Sequence, residues 1–133
     1  MTENKPKNTL TATRSLVSIV DDDESVRDSL PDLLRQLGFA AQAFSSAEAF
    51  LASASVNETR CLILDVAMPG MSGPELRREL ANRRQDIATI FITGSGDRTL
   101  RPRLLADGAV EGLFKPFSET ALVDALNAAL RQR

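Results

Sequence analysis

The chain has 133 residues, the length of one domain, and 43% of them are hydrophobic, which is enough for a single core. Its net charge of −2 excludes an overall basic field for nucleic acid or acidic membranes. The absence of histidine excludes histidine-based acid–base catalysis, serine triads and a phosphohistidine of its own. No apolar run approaches membrane-spanning length and the N-terminal region shows no signal-peptide pattern, so we expect a cytoplasmic protein without a membrane segment.

The N-terminal segment differs from the rest of the chain. Residues 1–14 are polar and show no periodicity, which predicts a disordered tail. From Ser15 onward, strand and helix patterns alternate, which is typical of a parallel sheet flanked by helices. We therefore predict one folded domain over 15–133.

The first predicted strand covers Leu16–Val20, and a helix with an apolar face follows it. That face consists of Val26, Leu30, Leu33, Leu34 and Leu37. Gly38 is expected to end the helix. Pro31 falls inside it, where a proline removes a backbone donor and is expected to kink or restart the helix.

The second predicted strand covers Ala40–Phe44, and Ser45 with Glu48 predicts a capping box at the start of the second helix. The third strand, 61–65, is continuously apolar up to its final Asp65, which suits a central strand buried on both faces. Its first residue, Cys61, is the only cysteine and is interpreted as a small buried side chain rather than a reactive thiol.

The second half of the chain continues the alternation. Ser72 and Glu75 predict a second capping box, for a helix with Leu76 and Leu80 on its buried stripe, and Ala88–Thr93 is the fourth strand. The fourth helix carries Leu100, Leu104 and Leu105, contains Pro102 and is expected to end at Gly108. The fifth strand is a short segment at 112–114, and Ser118 is expected to cap a fifth helix whose buried face holds Leu122, Leu126 and Leu130.

Polar side chains stand at the end of each of four apolar runs. They are the acids 21–24, Asp65, Thr93 with Gly94, and Lys115 before Pro116. Because the carboxyl ends of parallel strands meet at one edge of the sheet, we expect these groups to converge there. Clustered carboxylates are ligands that Mg²⁺ prefers, and with an ammonium and a hydroxyl they suit a metal-assisted phosphoryl-acceptor site.

Taken singly, each of these groups has a structural alternative. The four acids suit the positive end of the first helix dipole, and Asp65 suits a helix cap or a turn. Thr93 is an ordinary β-branched strand residue, and lysine is usually a surface charge. The functional interpretation depends on the order and topology of all four groups.

These motifs resemble the receiver domain of bacterial two-component response regulators. The similar segments are 17–23 (VSIVDDD), 64–73 (LDVAMPGMSG), 91–94 (FITG) and 114–117 (FKPF). Segments 26–30 (VRDSL) and 44–51 (FSSAEAFL) further resemble the FixJ-type subgroup. The resemblance runs from about residue 15 to 131, which is nearly all of the chain outside the tail.

The resemblance implies a flavodoxin-like, doubly wound α/β fold with five parallel strands ordered 2-1-3-4-5 and five helices. It implies that Asp65 accepts a phosphoryl group, that Thr93 hydrogen-bonds a phosphoryl oxygen and that Lys115 pairs with it. Asp22, Asp65 and the backbone carbonyl of Ala67 would bind Mg²⁺ directly, and Asp21 would act through water. A cis peptide bond between Lys115 and Pro116 is also implied.

One position departs from the family. Three residues before the lysine the family usually carries an aromatic residue whose rotation reports phosphorylation, whereas this chain has Gly112. We therefore expect the signal to pass through Thr93, the loop after it and a fourth helix weakened by Pro102. The cluster of Arg98, Arg101 and Arg103 is either a surface for an acidic partner or only a solvated helix face.

The implied partners are a histidine kinase or phosphotransfer protein and a further protein whose identity the sequence leaves unknown. We expect no direct DNA binding, because no recognition helix follows the receiver pattern, and leave open a homodimer through the fourth helix and fifth strand. Self-phosphorylation and autodephosphorylation with Mg²⁺ are the only reactions expected. The alternatives are an Asp-nucleophile phosphohydrolase, which typically has a second acid where this chain has Ala67, and a receiver-like binding module that is never phosphorylated.

Overall fold

The computed structural model describes residues 14–131, so all of the predicted tail except Arg14 lies outside the described residues. Five strands alternate with five α-helices, as the sequence predicts. The strands are β1 (Leu16–Val20), β2 (Ala40–Phe44), β3 (Thr59–Asp65), β4 (Ala88–Thr93) and β5 (Glu111–Phe114). The helices are α1 (Glu24–Gln36), α2 (Ala47–Leu51), α3 (Gly73–Asn82), α4 (Leu100–Ala106) and α5 (Glu119–Arg131). A short 3-10 helix, Ala54–Asn57, precedes β3.

The strands form one parallel sheet in the order β2-β1-β3-β4-β5, which confirms the predicted topology. The chain therefore first winds outward from β1 and then reverses direction through β3. In sheets of this kind, ligand sites lie outside the carboxyl ends of the strands at the point of reversal. That point lies between β1 and β3.

The central strand packs against a hydrophobic cluster on each face of the sheet. Cys61 and Ile63 face the cluster that contains Leu34 of α1 and Leu126 of α5. The alternate residues of β3 face a second cluster, which includes residues of α2, α3 and α4. Burial on both faces explains the continuous apolar run, and the two-residue period of a strand assigns alternate side chains to opposite clusters.

Cys61 lies at the centre of this arrangement with no exposed surface. Burial raises the pKa of its thiol to about 12, so the thiolate is strongly disfavoured. The interpretation of Cys61 as a buried core residue is therefore confirmed.

The predicted capping box of the second helix is wrong by one residue. The N-cap of α2 is Ser46, whose hydroxyl accepts a hydrogen bond from the Ala49 amide at 3.0 Å. Glu48 therefore lies one position too early to complete a box, and its carboxylate reaches a different loop. The Ser72–Glu75 box of α3, in contrast, is present with both reciprocal hydrogen bonds.

The two prolines lie in different helical contexts. Pro31 is buried within α1, which runs as one helix from Glu24 to Gln36 without a restart. Pro102 is the third residue of α4, in a first turn whose amides have no partner within the helix. The prediction that Pro102 weakens an interior turn is therefore wrong, because α4 begins at Leu100 and Pro102 lies in its first turn.

Several boundaries shift slightly. The strand β3 begins two residues before the predicted start, because Thr59 pairs with Leu16 and its hydroxyl donates to the Ser55 carbonyl at 2.7 Å. Gly38 and Gly108 follow α1 and α4 with φ of +101° and +100°, a conformation that suits glycine after a helix end. Ser118 caps α5 as predicted, accepting from the Ala121 amide at 3.0 Å.

Among residues 14–131, none of the helices combines the length and the apolar composition that crossing a membrane requires.

Candidate functional site

The four polar groups singled out in the sequence follow four strands at one edge of the sheet. Asp21 follows β1, Asp65 and Thr93 are the last residues of β3 and β4, and Lys115 follows β5. The register pairs Val20 with Leu64, Asp65 with Ile92, and Thr93 with Phe114. The parallel topology therefore brings the ends of all four strands to the same edge, as expected from the sequence.

Asp21 is the most buried acid of the site, with no exposed surface. One of its carboxylate oxygens accepts a hydrogen bond from the Asp23 amide at 2.9 Å, and the other accepts from the Lys115 ammonium at 2.9 Å. The guanidinium of Arg27 in α1 donates to the Asp21 backbone carbonyl at 3.1 Å. These contacts hold both the backbone carbonyl and the carboxylate of Asp21 in place.

Asp65, the last residue of β3, is buried, with 7% of its surface exposed. Its Oδ1 lies 3.8 Å from the Lys115 ammonium, further than the 2.9 Å that separates Lys115 from Asp21. Burial, together with the negative charge of Asp21, raises the pKa of Asp65 from 3.8 to about 7, although Lys115 opposes the shift. Lys115 therefore pairs more closely with Asp21 than with Asp65, and it offsets only part of the effect that raises the pKa of Asp65.

Lys115 itself stays charged. Burial lowers its pKa, but the hydrogen bond and charge of Asp21 and the charge of Asp65 outweigh that effect, and the pKa of Lys115 is raised above its ordinary 10.5. Its amide donates to the Thr93 carbonyl at 2.8 Å, which ties the lysine to the end of β4. The Lys115–Pro116 peptide bond is cis, as the resemblance implies.

Three carboxylates of the site fit a divalent cation. Asp21, Asp22 and Asp65 each offer an oxygen, and these oxygens all lie within 4.8 Å of one another. Such hard oxygen ligands suit Mg²⁺ or a similar ion. Three acids facing one ammonium also leave excess negative charge, which a cation would offset. Ala67, whose carbonyl is the further predicted ligand, is exposed two residues after Asp65.

Thr93 is 6% exposed and closes the β4 side of the edge. Its hydroxyl oxygen accepts a hydrogen bond from the Ser95 amide at 3.0 Å, so its proton is left to donate to another acceptor. At Gly94 an added β-carbon would meet no heavy atom within 4 Å. Packing within the described residues therefore does not require glycine at position 94, and a close approach of its backbone to a ligand stays a prediction.

The first residue of α3 lies directly against Asp65. A β-carbon at Gly73 would lie 2.3 Å from the backbone oxygen of Asp65 and 3.1 Å from the ring of Phe91. Real β-carbons do not approach a backbone oxygen so closely, so only glycine fits. Gly73 belongs to the motif 64–73, but no local pattern predicts its contact with Asp65, because the contact is formed across a loop.

Glu48 connects α2 to the loop after β3. Its Oε2 accepts a hydrogen bond from the Met71 amide at 3.0 Å and lies 3.0 Å from the site of a β-carbon at Gly70. Gly70 has a φ of +76°, which strongly favours glycine. Glu48 was predicted only as part of a capping box, and its actual contact joins residues 23 positions apart.

Gly112 is covered by an arginine instead of carrying a side chain of its own. A β-carbon at Gly112 would meet Cγ of Arg101 at 3.4 Å and the Leu104 side chain at 3.6 Å. The Arg101 Nε donates to Glu111 Oε1 at 2.8 Å and to the Gly112 carbonyl at 3.2 Å. The stem of Arg101 therefore occupies the surface of β5 that a side chain at position 112 would use.

The neighbouring arginines also have partners within the chain. Arg98 lies over the ring of Phe114, with its guanidinium carbon 4.7 Å from the ring centroid. Arg103 pairs with Asp97 across 3.4 Å. The sequence offered only a partner surface or a solvated face for these arginines, whereas the structure shows all three tying α4 and its preceding loop to β5 or to each other.

The chain is similar to a family model described as the response regulator receiver domain over residues 17–127. It is 44% identical over 118 residues to nodulation protein W of Bradyrhizobium diazoefficiens, covering 89% of this chain and 52% of that protein. It is 43% identical over 113 residues to transcriptional regulatory protein FixJ of Rhizobium meliloti, covering 85% of this chain and 55% of that protein. The chain thus spans about half the length of these curated relatives.

Solved structures show the same architecture. The crystal structure of FixJ-N is 40% identical, with a TM-score of 0.80, and the match covers 91% of this chain and 97% of that one. The response regulator StyR is 42% identical, with a TM-score of 0.81, over 90% of this chain and 61% of that one. Since the family match extends from the first strand into the last helix, the chain belongs to the response regulator receiver domain family of two-component signalling.

Proposed function

We propose that this receiver domain accepts a phosphoryl group on Asp65 from the phosphohistidine of a kinase or phosphotransfer protein. The observation that supports this most directly is the environment of Asp65, a carboxylate at the end of the central strand beside a lysine and two further acids. In the transfer, an Asp65 oxygen forms a bond to phosphorus, and the bond from phosphorus to the imidazole nitrogen breaks. The electron pair of that broken bond remains on the imidazole, and the product is an acyl phosphate.

The residues around Asp65 have complementary roles in this proposal. Lys115 already lies 3.8 Å from Asp65 and pairs with a phosphoryl oxygen when one is attached. Thr93 retains a hydroxyl proton for another phosphoryl oxygen. Asp21 holds the ammonium of Lys115 at the edge of the site and acts on a metal through water.

Mg²⁺ is the proposed metal, held directly by Asp22, Asp65 and the Ala67 carbonyl. When bound, it supplies positive charge that reduces the repulsion between Asp65 and the incoming phosphoryl group. The residues fit this role because their carboxylate oxygens already lie within 4.8 Å of one another. Magnesium would also favour the ionised form of Asp65, whose pKa is raised without it.

Phosphorylation of Asp65 is tested with Mg²⁺ and acetyl phosphate, followed by intact mass and peptide mapping. We expect the mass of one phosphoryl group on the wild-type chain and none on Asp65→Asn. An Asp28→Asn variant is the matched control, because Asp28 is an exposed acid of α1 and should label like the wild type. Equal labelling of Asp65→Asn would remove the assignment, and steady turnover of phosphate monoesters would favour the phosphohydrolase alternative.

Metal binding gives a separate prediction. Asp22→Ala removes an exposed carboxylate that is a direct ligand in this proposal, so we expect Mg²⁺ affinity to fall about tenfold or more. Isothermal titration with MgCl₂ measures the change, and Asp28→Ala is the control that should leave affinity unaltered. Unchanged affinity in Asp22→Ala would place the metal elsewhere.

Signal output is proposed to pass through residues 94–108, because α4 is short and the loop before it is exposed. It has seven residues, and its N-cap residue Thr99 makes no side-chain capping bond. Residues 94–99 are all exposed. Such a segment has low local stability, so contacts at Thr93 can shift its population.

Hydrogen exchange tests this route. With beryllofluoride as the phosphoryl mimic at Asp65, we expect the largest change in amide exchange to fall within 94–108. Arg101→Ala should already raise exchange in Leu100–Ala106 without the mimic, since it removes the contacts with Glu111 and Gly112. Arg103→Ala, whose partner is exposed, is the control and should have little effect. A response confined to another face would contradict the route.

The output of any larger protein is a separate matter. FixJ of Rhizobium meliloti is named a transcriptional regulatory protein, and this chain covers 55% of it. The expected lack of direct DNA binding by the 133-residue chain therefore stays a prediction, as does a homodimer through α4 and β5. A gel-shift assay with random duplex DNA at physiological salt tests the first, and sedimentation with and without beryllofluoride tests the second.

A further inference from the structure

The loop between β3 and α3 carries the Ala67 carbonyl that is proposed as a metal ligand. Backbone hydrogen bonds fix the two ends of this loop. The Val66 amide donates to the Ile92 carbonyl at 3.0 Å, and the Gly73 amide donates to the Val66 carbonyl at 2.9 Å. The stretch 67–71 between these ends makes no backbone–backbone hydrogen bond with any part of residues 14–131. Its conformation therefore depends on side-chain contacts.

Glu48 of α2 makes a side-chain hydrogen bond to this stretch. Its Oε2 accepts from the Met71 amide at 3.0 Å. Its two carboxylate oxygens lie 3.0 Å and 3.6 Å from the position that a β-carbon would take at Gly70. Of the residues that the structure describes in this loop, Gly70 alone has a positive φ, of +76°. The carboxylate therefore lies against the point at which the loop reverses its direction.

Apolar packing holds α2 and the loop together beside this hydrogen bond. Ala47 and Phe50 of α2 are buried in one hydrophobic cluster, and Met68 and Met71 of the loop pack against the same cluster. Methionine side chains are flexible and fill gaps without selecting one backbone conformation. A hydrogen bond to a backbone amide is directional, so Glu48 supplies the orientation that the methionine contacts leave undetermined.

We propose that Glu48 is a positioning residue of the phosphoacceptor site, because its bond to Met71 keeps the loop in the conformation that presents the Ala67 carbonyl to Mg²⁺. The inference deepens the proposed function and rests on it for the identity of that ligand. Magnesium requires near-ideal octahedral geometry with oxygens at roughly 2.0–2.1 Å, so a small displacement of one carbonyl weakens binding. Groups that orient a metal ligand contribute about ten- to a hundredfold in affinity.

The alternative is a general effect of the Glu48 charge on a cation, and three variants separate it from positioning. Glu48→Gln keeps an acceptor oxygen at the same reach and removes the charge. Glu48→Asp keeps the charge on a side chain that is one methylene shorter, so it does not reach the Met71 amide. Glu48→Ala removes both, and alanine favours the helix, so α2 is retained. Positioning predicts that the Gln variant resembles the wild type and the Asp variant resembles the Ala variant, whereas a charge effect predicts the reverse.

Isothermal titration with MgCl₂ measures the affinity, and amide exchange by NMR in EDTA measures the loop without metal. We expect Glu48→Ala and Glu48→Asp to bind Mg²⁺ about tenfold more weakly than the wild type. The Met71 amide should exchange about fivefold faster in both, and Glu48→Gln should stay within about twofold of the wild type in both measurements. Glu58→Ala, which removes an exposed acid before β3, is the control and should change neither.

Wild-type Mg²⁺ affinity in Glu48→Ala would overturn the inference. So would a Glu48→Asp variant that binds Mg²⁺ like the wild type while Glu48→Gln does not, or a wild type that binds no Mg²⁺. Phosphorylation of Asp65 is measured separately on the wild type. If the chain gains no phosphoryl group but its Mg²⁺ affinity depends on Glu48 as expected, only the proposed transfer fails. If the chain is phosphorylated and the Glu48 variants match the wild type, only the inference fails.

Discussion

Gly73→Ala is expected to lower the free energy of unfolding by about 3 kcal/mol, at the upper end of the usual cost of overpacking. The added β-carbon would lie 2.3 Å from the Asp65 backbone oxygen and 3.1 Å from Phe91. The first of these is a main-chain atom at the end of the central strand, so relief requires movement of β3 or of the start of α3. Chemical denaturation followed by circular dichroism measures the loss.

Gly96→Ala is the matched control for this prediction. A β-carbon at Gly96 meets no heavy atom within 4 Å, and the residue is exposed. The same chemical change should therefore leave stability unchanged or raise it slightly, through a smaller entropy of the unfolded chain. Equal stability of both variants would show that α3 does not press on Asp65.

Asp65→Asn is expected to raise the free energy of unfolding by about 2 kcal/mol at pH 8 without divalent cations. Burial and the charge of Asp21 raise the pKa of Asp65 from 3.8 to about 7. Between these values the folded state binds more protons than the unfolded state, so the carboxyl group makes the protein less stable as pH rises. Asparagine does not titrate, so Asp65→Asn lacks this dependence of stability on pH. The difference in the free energy of unfolding between the variant and the wild type should grow from about pH 4 and level off above about pH 7.

Denaturation curves in EDTA at several pH values measure this difference. Asp28→Asn removes an exposed acid and should change stability by less than about 0.5 kcal/mol at every pH. Adding Mg²⁺ should stabilise the wild type more than Asp65→Asn, because the ion binds the folded site. A wild type that is more stable than Asp65→Asn at pH 8 in EDTA would contradict the electrostatic account.

The sequence predicted the sheet well because its strong signals are local. Each strand is an apolar run bounded by polar or glycine residues, and the polar residue after the run marks the edge where a site forms. Asp21, Asp65, Thr93 and Lys115 all stand at such positions, and the topology confirms that their strands end at one edge. The resemblance supplied the strand order, which local patterns alone do not determine.

The errors concern features that depend on one residue of register or on distant contacts. A serine pair at 45 and 46 leaves the helix start ambiguous, and the capping geometry selects Ser46. Pro102 was placed in a helix interior because apolar spacing does not locate the first turn. Lys115 pairs most closely with Asp21, which is 94 residues away, and nothing local distinguishes that acid from Asp65.

The single thiol of the chain is also a natural reporter of opening at the centre of the sheet. Cys61 is fully buried in the cluster that also contains Leu34 of α1 and Leu126 of α5, and its raised pKa keeps it in the unreactive protonated form. A thiol reagent can therefore reach it only when α1 or α5 moves away from this face of the sheet. The labelling rate measures how often this core opens, without any engineered probe, and its dependence on metal or phosphoryl mimic would show how strongly the site stabilises the core beside it.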